Sequence, residues 1–275
     1  MEKTAYVFHE LDRDFREGRR LSDQAQAFVE IELPAFLKKI PPRARIADFG
    51  CGTGVISAAL AQSLPEATIV GLDLDEQALV LAAKNGRDLP NLSFERFGFE
   101  TGEPVLTGSF DVAFTRLVLL HLPDPAAALA RMGNCLKPGG LLYVVDCDDD
   151  YVNFSPKEPW QAELISLMGQ AQALRGGTRT LGSKLLKLVE QGGFWPEGSR
   201  VVYYSTQELG RERWKNIFVP ALGNMAERDL RYLLERKLLD SGKLETLKES
   251  MGQFFGYSEA QAQLSTWHVW ARKVD

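Results

Sequence analysis

The sequence predicts an α/β chain built on a mostly parallel sheet with helices on both faces, and three observations predict it. From Arg45 to Val145, short apolar runs alternate with stretches of helical spacing, the pattern of repeated strand–helix–strand units. The segment Asp48-Phe49-Gly50-Cys51-Gly52-Thr53-Gly54 lies between the first apolar run and a run of small helix formers. Glycines there let the backbone turn sharply and approach a ligand without Cβ interference. Asp73 closes the next apolar run, 19 residues after Gly54. A carboxylate about 20 positions past a glycine turn is where a ribose hydroxyl pair is held in such units. A nucleoside-type cofactor is the first functional expectation.

Taken in order, residues 10–40 have apolar positions at helical spacing, with Gly18 and Pro34 as expected breaks and Pro41-Pro42 closing the segment. Strands are expected at Arg45–Phe49, Thr68–Asp73, Leu92–Phe97, Phe110–Thr115 and Leu141–Val145. Helices are expected at Val55–Leu64, Glu76–Gly86 and Asp124–Leu136. Beyond residue 150 the alternation loosens. Helices are expected at 158–175 and 182–191, with Gly192-Gly193 ending the second. Val201–Thr206 and Thr266–Arg272 read as strands forming an antiparallel edge pair, and 208–262 as two or three helices. The expected organisation is an N-terminal helical cap over 1–42 and a domain over 43–275 with a helical lid at 208–262.

With 275 residues, 45% hydrophobic and 25% charged, the composition is that of a globular chain. A net charge of −5 argues against a broad nucleic-acid surface. No apolar run reaches the roughly 20 residues of a membrane span, and the N-terminus lacks a signal-peptide plan, so a cytoplasmic location is expected. Cys51, Cys135 and Cys147 form no CxxC pair, and neither a disulfide framework nor a metal site is expected.

Five pieces in fixed order carry a resemblance. They are Ile46–Gly54, Gly71-Leu72-Asp73-Leu74-Asp75, then Phe110–Arg116 with His121-Leu122-Pro123-Asp124-Pro125, then Leu136–Leu142, and Gly192-Gly193-Phe194. Over about residues 20–206 the chain resembles the class I S-adenosylmethionine-dependent methyltransferases. Gly18-Arg19-Arg20-Leu21 with Gln24, and Arg175-Gly176-Gly177-Thr178, are similar to the bacterial and fungal small-molecule enzymes among them. The resemblance implies a Rossmann-like seven-stranded sheet with an antiparallel final strand, and S-adenosylmethionine as cofactor.

It also implies roles. Asp48 would face the cofactor's ammonium group, and the backbone of Gly50, Cys51 and Gly52 would wrap its methionine and ribose portions. Asp73 would accept the ribose hydroxyls, and Leu74 would pack on adenine. Gly98 stands where similar enzymes often carry an acid for the adenine amino group, so Phe99 and Glu100 are the candidates for that contact. The Thr115-Arg116 backbone would receive the ammonium group. Arg20 and Gln24, one helical turn apart, either close over the cofactor carboxylate or form a solvated face. His121 reads as a structural or gating residue ahead of a general base. Cys51 reads as a packing residue.

Acceptor contacts are expected from Asp148 and Tyr151 at the end of the fifth strand and from Trp160. Phe8, Trp214, Phe218 and Met225 are further pocket candidates, with core packing as the competing reading. The implied partner is a small-molecule methyl acceptor, with quinone or lipid C-methylation as the alternative. A cofactor-binding module without catalysis also remains open. The lid helices are a candidate homodimer interface. A dinucleotide oxidoreductase would need G-x-G-x-x-G spacing, whereas here Gly50, Gly52 and Gly54 follow Asp48.

Overall fold

The computed structural model describes residues 16–99 and 107–274. Glu100 and Phe8, named above as contact candidates, lie outside the described residues, as do the side chains of Arg20 and Phe218.

The helices α1 (Arg16–Ile31) and α2 (Leu33–Leu37) lead into the alternating region. There follow β1 (Arg45–Phe49), α3 (Val55–Ser63), β2 (Thr68–Asp73), α4 (Glu76–Gly86), β3 (Leu92–Arg96), β4 (Phe110–Arg116), α5 (Pro125–Cys135) and β5 (Leu136–Cys147). The chain continues through β6 (Asn153–Ser155), α6 (Pro159–Leu174), α7 (Leu185–Gln191) and β7 (Phe194–Tyr204). The lid helices α8 (Thr206–Leu209), α9 (Arg211–Glu235) and α10 (Ser241–Gly256) precede β8 (Gln261–Lys273).

The strands form one sheet in the order β3-β2-β1-β4-β5-β8-β6, with β7 also paired to β8. Strands β1 to β5 are parallel, and β8 runs antiparallel to β5, β6 and β7. The α/β class, the mostly parallel sheet and its antiparallel final strand are therefore as expected. One strand is additional: β6 is three residues long and pairs with the start of β8, too short to carry an alternation signal. Strand β7 starts at Phe194 rather than Val201, with a register shift between Pro196 and Gly198. Those two residues mask a strand in sequence and are accommodated at a bulge. Gly18 does not interrupt α1, whose helix runs through it.

The alternation of side chains along each strand divides the core into two layers. Ala47, Phe49, Val70, Leu72, Ala113, Leu142 and Val144 pack on one face with Leu129 and Met132 of α5 and Leu185 and Val189 of α7. Ile46, Ile69, Val112, Phe114, Tyr143 and Val145 pack on the other with Leu60 of α3, Phe28 of α1 and Phe36 of α2. Phe36 stacks on Phe114 at 4.7 Å between ring centroids. Strands buried on both faces read as continuous apolar runs, which is why β1, β2, β4 and β5 were legible; β3, at the sheet edge, has no buried residue. A third cluster joins the lid to α6 and β6: Trp160, Leu164 and Met168 meet Trp214, Leu230, Leu244 and Phe254. No helix among the described residues is long and apolar enough to cross a membrane.

Candidate active site

All the strands that alternate with helices end on one edge of the sheet, and there the glycine turn is tied down by its neighbour. Gly50 and Cys51 both donate their backbone N–H to the Leu72 carbonyl, at 2.7 and 3.0 Å. Asp73, one residue on, accepts from Gly52 N at 2.8 Å through Oδ2 and from Asp75 N at 2.9 Å through Oδ1. Its carboxylate is thereby fixed at the middle of the turn, and burial raises its pKa. Gly50 has φ +72°, and a Cβ there would lie 2.3 Å from Val118 Cγ2. Gly52 has φ +53° and faces open space on the side where a Cβ would point. The first glycine is needed for close packing beneath the turn, the second for access above it. Leu74 is half-buried immediately beyond Asp73.

Asp48 is buried at the end of β1 and accepts from Ser57 Oγ of α3 at 2.5 Å. Burial, with the charge of Asp73 nearby, pushes its pKa up to about 7 despite that bond. The neighbouring strand β4 is locked in by Thr115, whose Oγ1 donates to the Phe49 carbonyl at 3.1 Å. Just past β4, Leu117 has a positive φ of 55°, an uncommon conformation for a residue with a side chain. It turns the chain so that Val118 comes up beneath Gly50. Phe99 stacks on Phe49 at 5.8 Å and meets Phe97 edge-on at 5.4 Å, while Arg131 Nη1 donates to its carbonyl. Cys51 is half-buried, with burial and the two nearby carboxylates raising its thiol pKa.

The expected contact residues separate by location. Asp48, Gly50, Cys51, Gly52, Asp73, Leu74, Phe99 and Thr115 gather around the glycine turn. Gln24 is half-buried on α1, which packs on α3. The Arg116 side chain turns away, over the Phe28 ring at 5.0 Å, with Nη2 3.8 Å from Glu32 Oε1. Asp148 is buried and occupied: its Oδ2 accepts from Ser183 N at 2.9 Å and Ser183 Oγ at 2.6 Å, and its Oδ1 from Asp150 N at 3.1 Å. Tyr151 is exposed and meets Trp267 edge-on at 5.0 Å. Trp160 lies in the lid core, its Nε1 donating to Glu158 at 2.7 Å, and Trp214 is fully buried in the same cluster. For these two tryptophans core packing is the observed environment.

Two polar groupings went unread in the sequence. Glu32, between α1 and α2, is fully buried against His268 of β8, whose Nδ1 lies 2.9 Å from Tyr143 OH. The one available signal was His268 at an inward position of an apolar strand. The second grouping surrounds the turn after β4. Asp146, fully buried with its pKa pushed to about 7 by burial, accepts from Leu120 N at 3.1 Å and Cys147 N at 2.9 Å. Gln172 of α6 reaches His121 Nδ1 at 2.9 Å, and beyond it Arg175, Arg179 and Arg228 surround Asp149 and Asp229. Arg175 and Arg179 meet carboxylates 54 and 30 residues away in sequence, beyond the reach of local pattern.

A family model for a methyltransferase domain matches residues 47–142, the stretch that contains the glycine turn, Asp73 and the end of β4. Residues 47–142 thus carry a methyltransferase domain. S-adenosylmethionine is the methyl donor of that family. Over 103 residues the chain is 44% identical to a trans-aconitate 2-methyltransferase of Deinococcus radiodurans, covering 38% of each chain. Over 136 residues it is 29% identical to a ubiquinone biosynthesis O-methyltransferase of Idiomarina loihiensis, covering 48% of this chain and 52% of that one. The matches thus span about half, or less, of these relatives' length. In fold it is similar to a phosphoethanolamine N-methyltransferase of Haemonchus contortus, with TM-score 0.57, 16% identity, and 98% and 61% of the two chains covered. Among the described residues no cluster of His, Cys, Asp and Glu is arranged to hold a metal ion.

Proposed function

We propose that the protein transfers the methyl group of S-adenosylmethionine to a small-molecule acceptor at the carboxyl edge of the sheet. The observation that carries this reading is the Asp73 carboxylate bonded into the glycine turn beside the buried Asp48. The donor set fits the cofactor. Asp73, oriented by two backbone N–H groups, has the remaining acceptor capacity to take a ribose hydroxyl pair. Gly52 leaves the space above the turn open. Asp48 and the backbone after Thr115 supply an acceptor edge for an ammonium group, and Leu74, Phe97 and Phe99 supply apolar surface for a base. Gly98 leaves the adenine amino group to backbone groups or to Glu100.

The cofactor, when bound, supplies a methyl group on a positively charged sulfur that is already a good leaving group. The protein's part is then to hold the acceptor in line with it and keep water out, which can supply most of the rate. The α1 helix and the lid α8–α10 are proposed to close that space, as a cap over 1–42 and an insertion at 208–262. The relatives named for trans-aconitate and for ubiquinone biosynthesis support a small molecule as acceptor. The test is transfer of labelled methyl from S-adenosylmethionine into product across a panel of acids, phenols and amines. Labelled product with any of these supports the reading. Cofactor binding without product across the panel favours a non-catalytic module, and binding of NAD in its place overturns the assignment.

A further inference from the structure

The turn that follows β4 lies against the glycine turn, and its conformation is held from outside. Leu117 has its positive φ of 55°, Val118 comes up beneath Gly50, and His121 N donates back to the Val118 carbonyl at 2.9 Å. A residue with a side chain keeps such a φ where its surroundings over-determine it. Here the Leu120 peptide is gripped on both sides. Its N–H donates to Asp146 Oδ2 at 3.1 Å, and its carbonyl accepts from Thr178 N at 2.8 Å and from Gln172 Nε2 at 2.9 Å. Gln172 comes from α6, 52 residues along the chain, and is fully buried. Its Nε2 also lies 2.9 Å from His121 Nδ1, a second contact with the same turn.

The Gln172 amide has one orientation. A carbonyl only accepts, so the amide nitrogen faces Leu120 and the amide oxygen is left for another donor. Arg175 Nη2 lies 3.5 Å from that oxygen. Arg175 in turn pairs with Asp229, fully buried on the lid helix α9, which also takes Arg228 Nε at 2.7 Å. One amide and one guanidinium thus join the Leu120 peptide to α9. Without the amide, the Leu120 carbonyl keeps its bond from Thr178 N, so no buried oxygen is orphaned and the turn survives. What is lost is the tie that reaches the lid.

We propose that Gln172 is a positioning residue for the cofactor site, a role that rests on the methyl-transfer reading above. It fixes the turn 117–121, sets the height of Gly50 through Val118 and, with Arg175, ties both to α9. Gln172 is fully buried and offers no surface to a ligand, so its effect on cofactor binding passes through the turn. Val118 transmits it. The 2.3 Å between Val118 Cγ2 and the place of a Gly50 Cβ leaves no slack, and a turn that shifts moves the glycines with it.

The test reads the affinity of the full chain for S-adenosylhomocysteine by calorimetry, well below the melting temperature. Gln172→Met keeps the side chain's length and loses both amide hydrogens, and it should bind about fivefold more weakly. Val189→Ala, a buried core variant in α7, should lower the melting temperature and leave the affinity unchanged. A double-mutant cycle with Val118→Ala then separates positioning from general loosening. Both changes act on one contact, so the double variant should bind no more weakly than the weaker single variant. Unchanged affinity in Gln172→Met, an equal loss in Val189→Ala, or fully additive losses in the cycle overturn the proposal. Should Gln172→Met not fold, hydrogen exchange in the unsubstituted protein decides. Saturating S-adenosylhomocysteine should slow exchange of the Gln172 side-chain amide and of the Leu120 backbone amide, and unchanged rates overturn the proposal. Failure of the unsubstituted protein to bind S-adenosylhomocysteine at all would instead remove the methyl-transfer reading beneath it.

Discussion

Gly50 shows how one position serves the backbone and its neighbour together. Its φ of +72° disfavours any residue with a Cβ, and the 2.3 Å approach to Val118 leaves no room for one. Gly50→Ala should therefore destabilise the fold by about 1–3 kcal/mol, read from the denaturant midpoint. The double variant Gly50→Ala/Val118→Ala should recover the steric part and leave the strained φ, so an unimproved double variant contradicts the packing account. At this scale the sequence was most informative where chemistry and spacing coincide, at Asp48, Gly50, Gly52 and Asp73. It suggested an acceptor contact for Asp148, because a carboxylate at a strand end reads the same whether it meets a ligand or, as here, Ser183.

Strands β1, β2, β4 and β5 were legible as elements because burial on both faces makes each a short apolar run, whereas the edge strand β3, with no buried residue, was marked only by its place in the alternation. The ends of β7 and the existence of β6 were not legible, since Pro196, Gly198 and a three-residue pairing leave no periodic trace. The lid was visible as helices, but which of its aromatic residues face a ligand was not. Trp160 and Trp214 pack together with Phe254 in a layer that holds α6, α9 and α10 to one another. Trp214 is fully buried, with its Nε1 donating to the Ala262 carbonyl at 2.9 Å. Trp214→Ala should cost about 3–5 kcal/mol in thermal or chemical unfolding. A loss under 1 kcal/mol would show that the lid is not cemented by this cluster.

For the whole molecule, the two carboxylates lifted to about 7 by burial set a pH dependence. In the unfolded chain both ionise near pH 4, so between about pH 4 and 7 the folded state binds more protons. Their contribution to stability is fully present below the unfolded value and is lost as pH rises through the folded one. In the absence of ligand, the melting temperature should therefore fall from pH 5.5 to pH 7.5. Asp48→Asn, which keeps the shape without the charge, should make that fall shallower, and an unaltered slope would show that Asp48 is ionised in the folded protein at neutral pH. The central claim is that the glycine turn and Asp73 together hold S-adenosylmethionine. Calorimetric titration of S-adenosylmethionine into the unsubstituted protein and into Asp73→Ala tests it most directly. Losing a charged acceptor costs about 1.5–3 kcal/mol, so the variant should bind at least roughly tenfold more weakly. Equal affinity in the two proteins would contradict the claim.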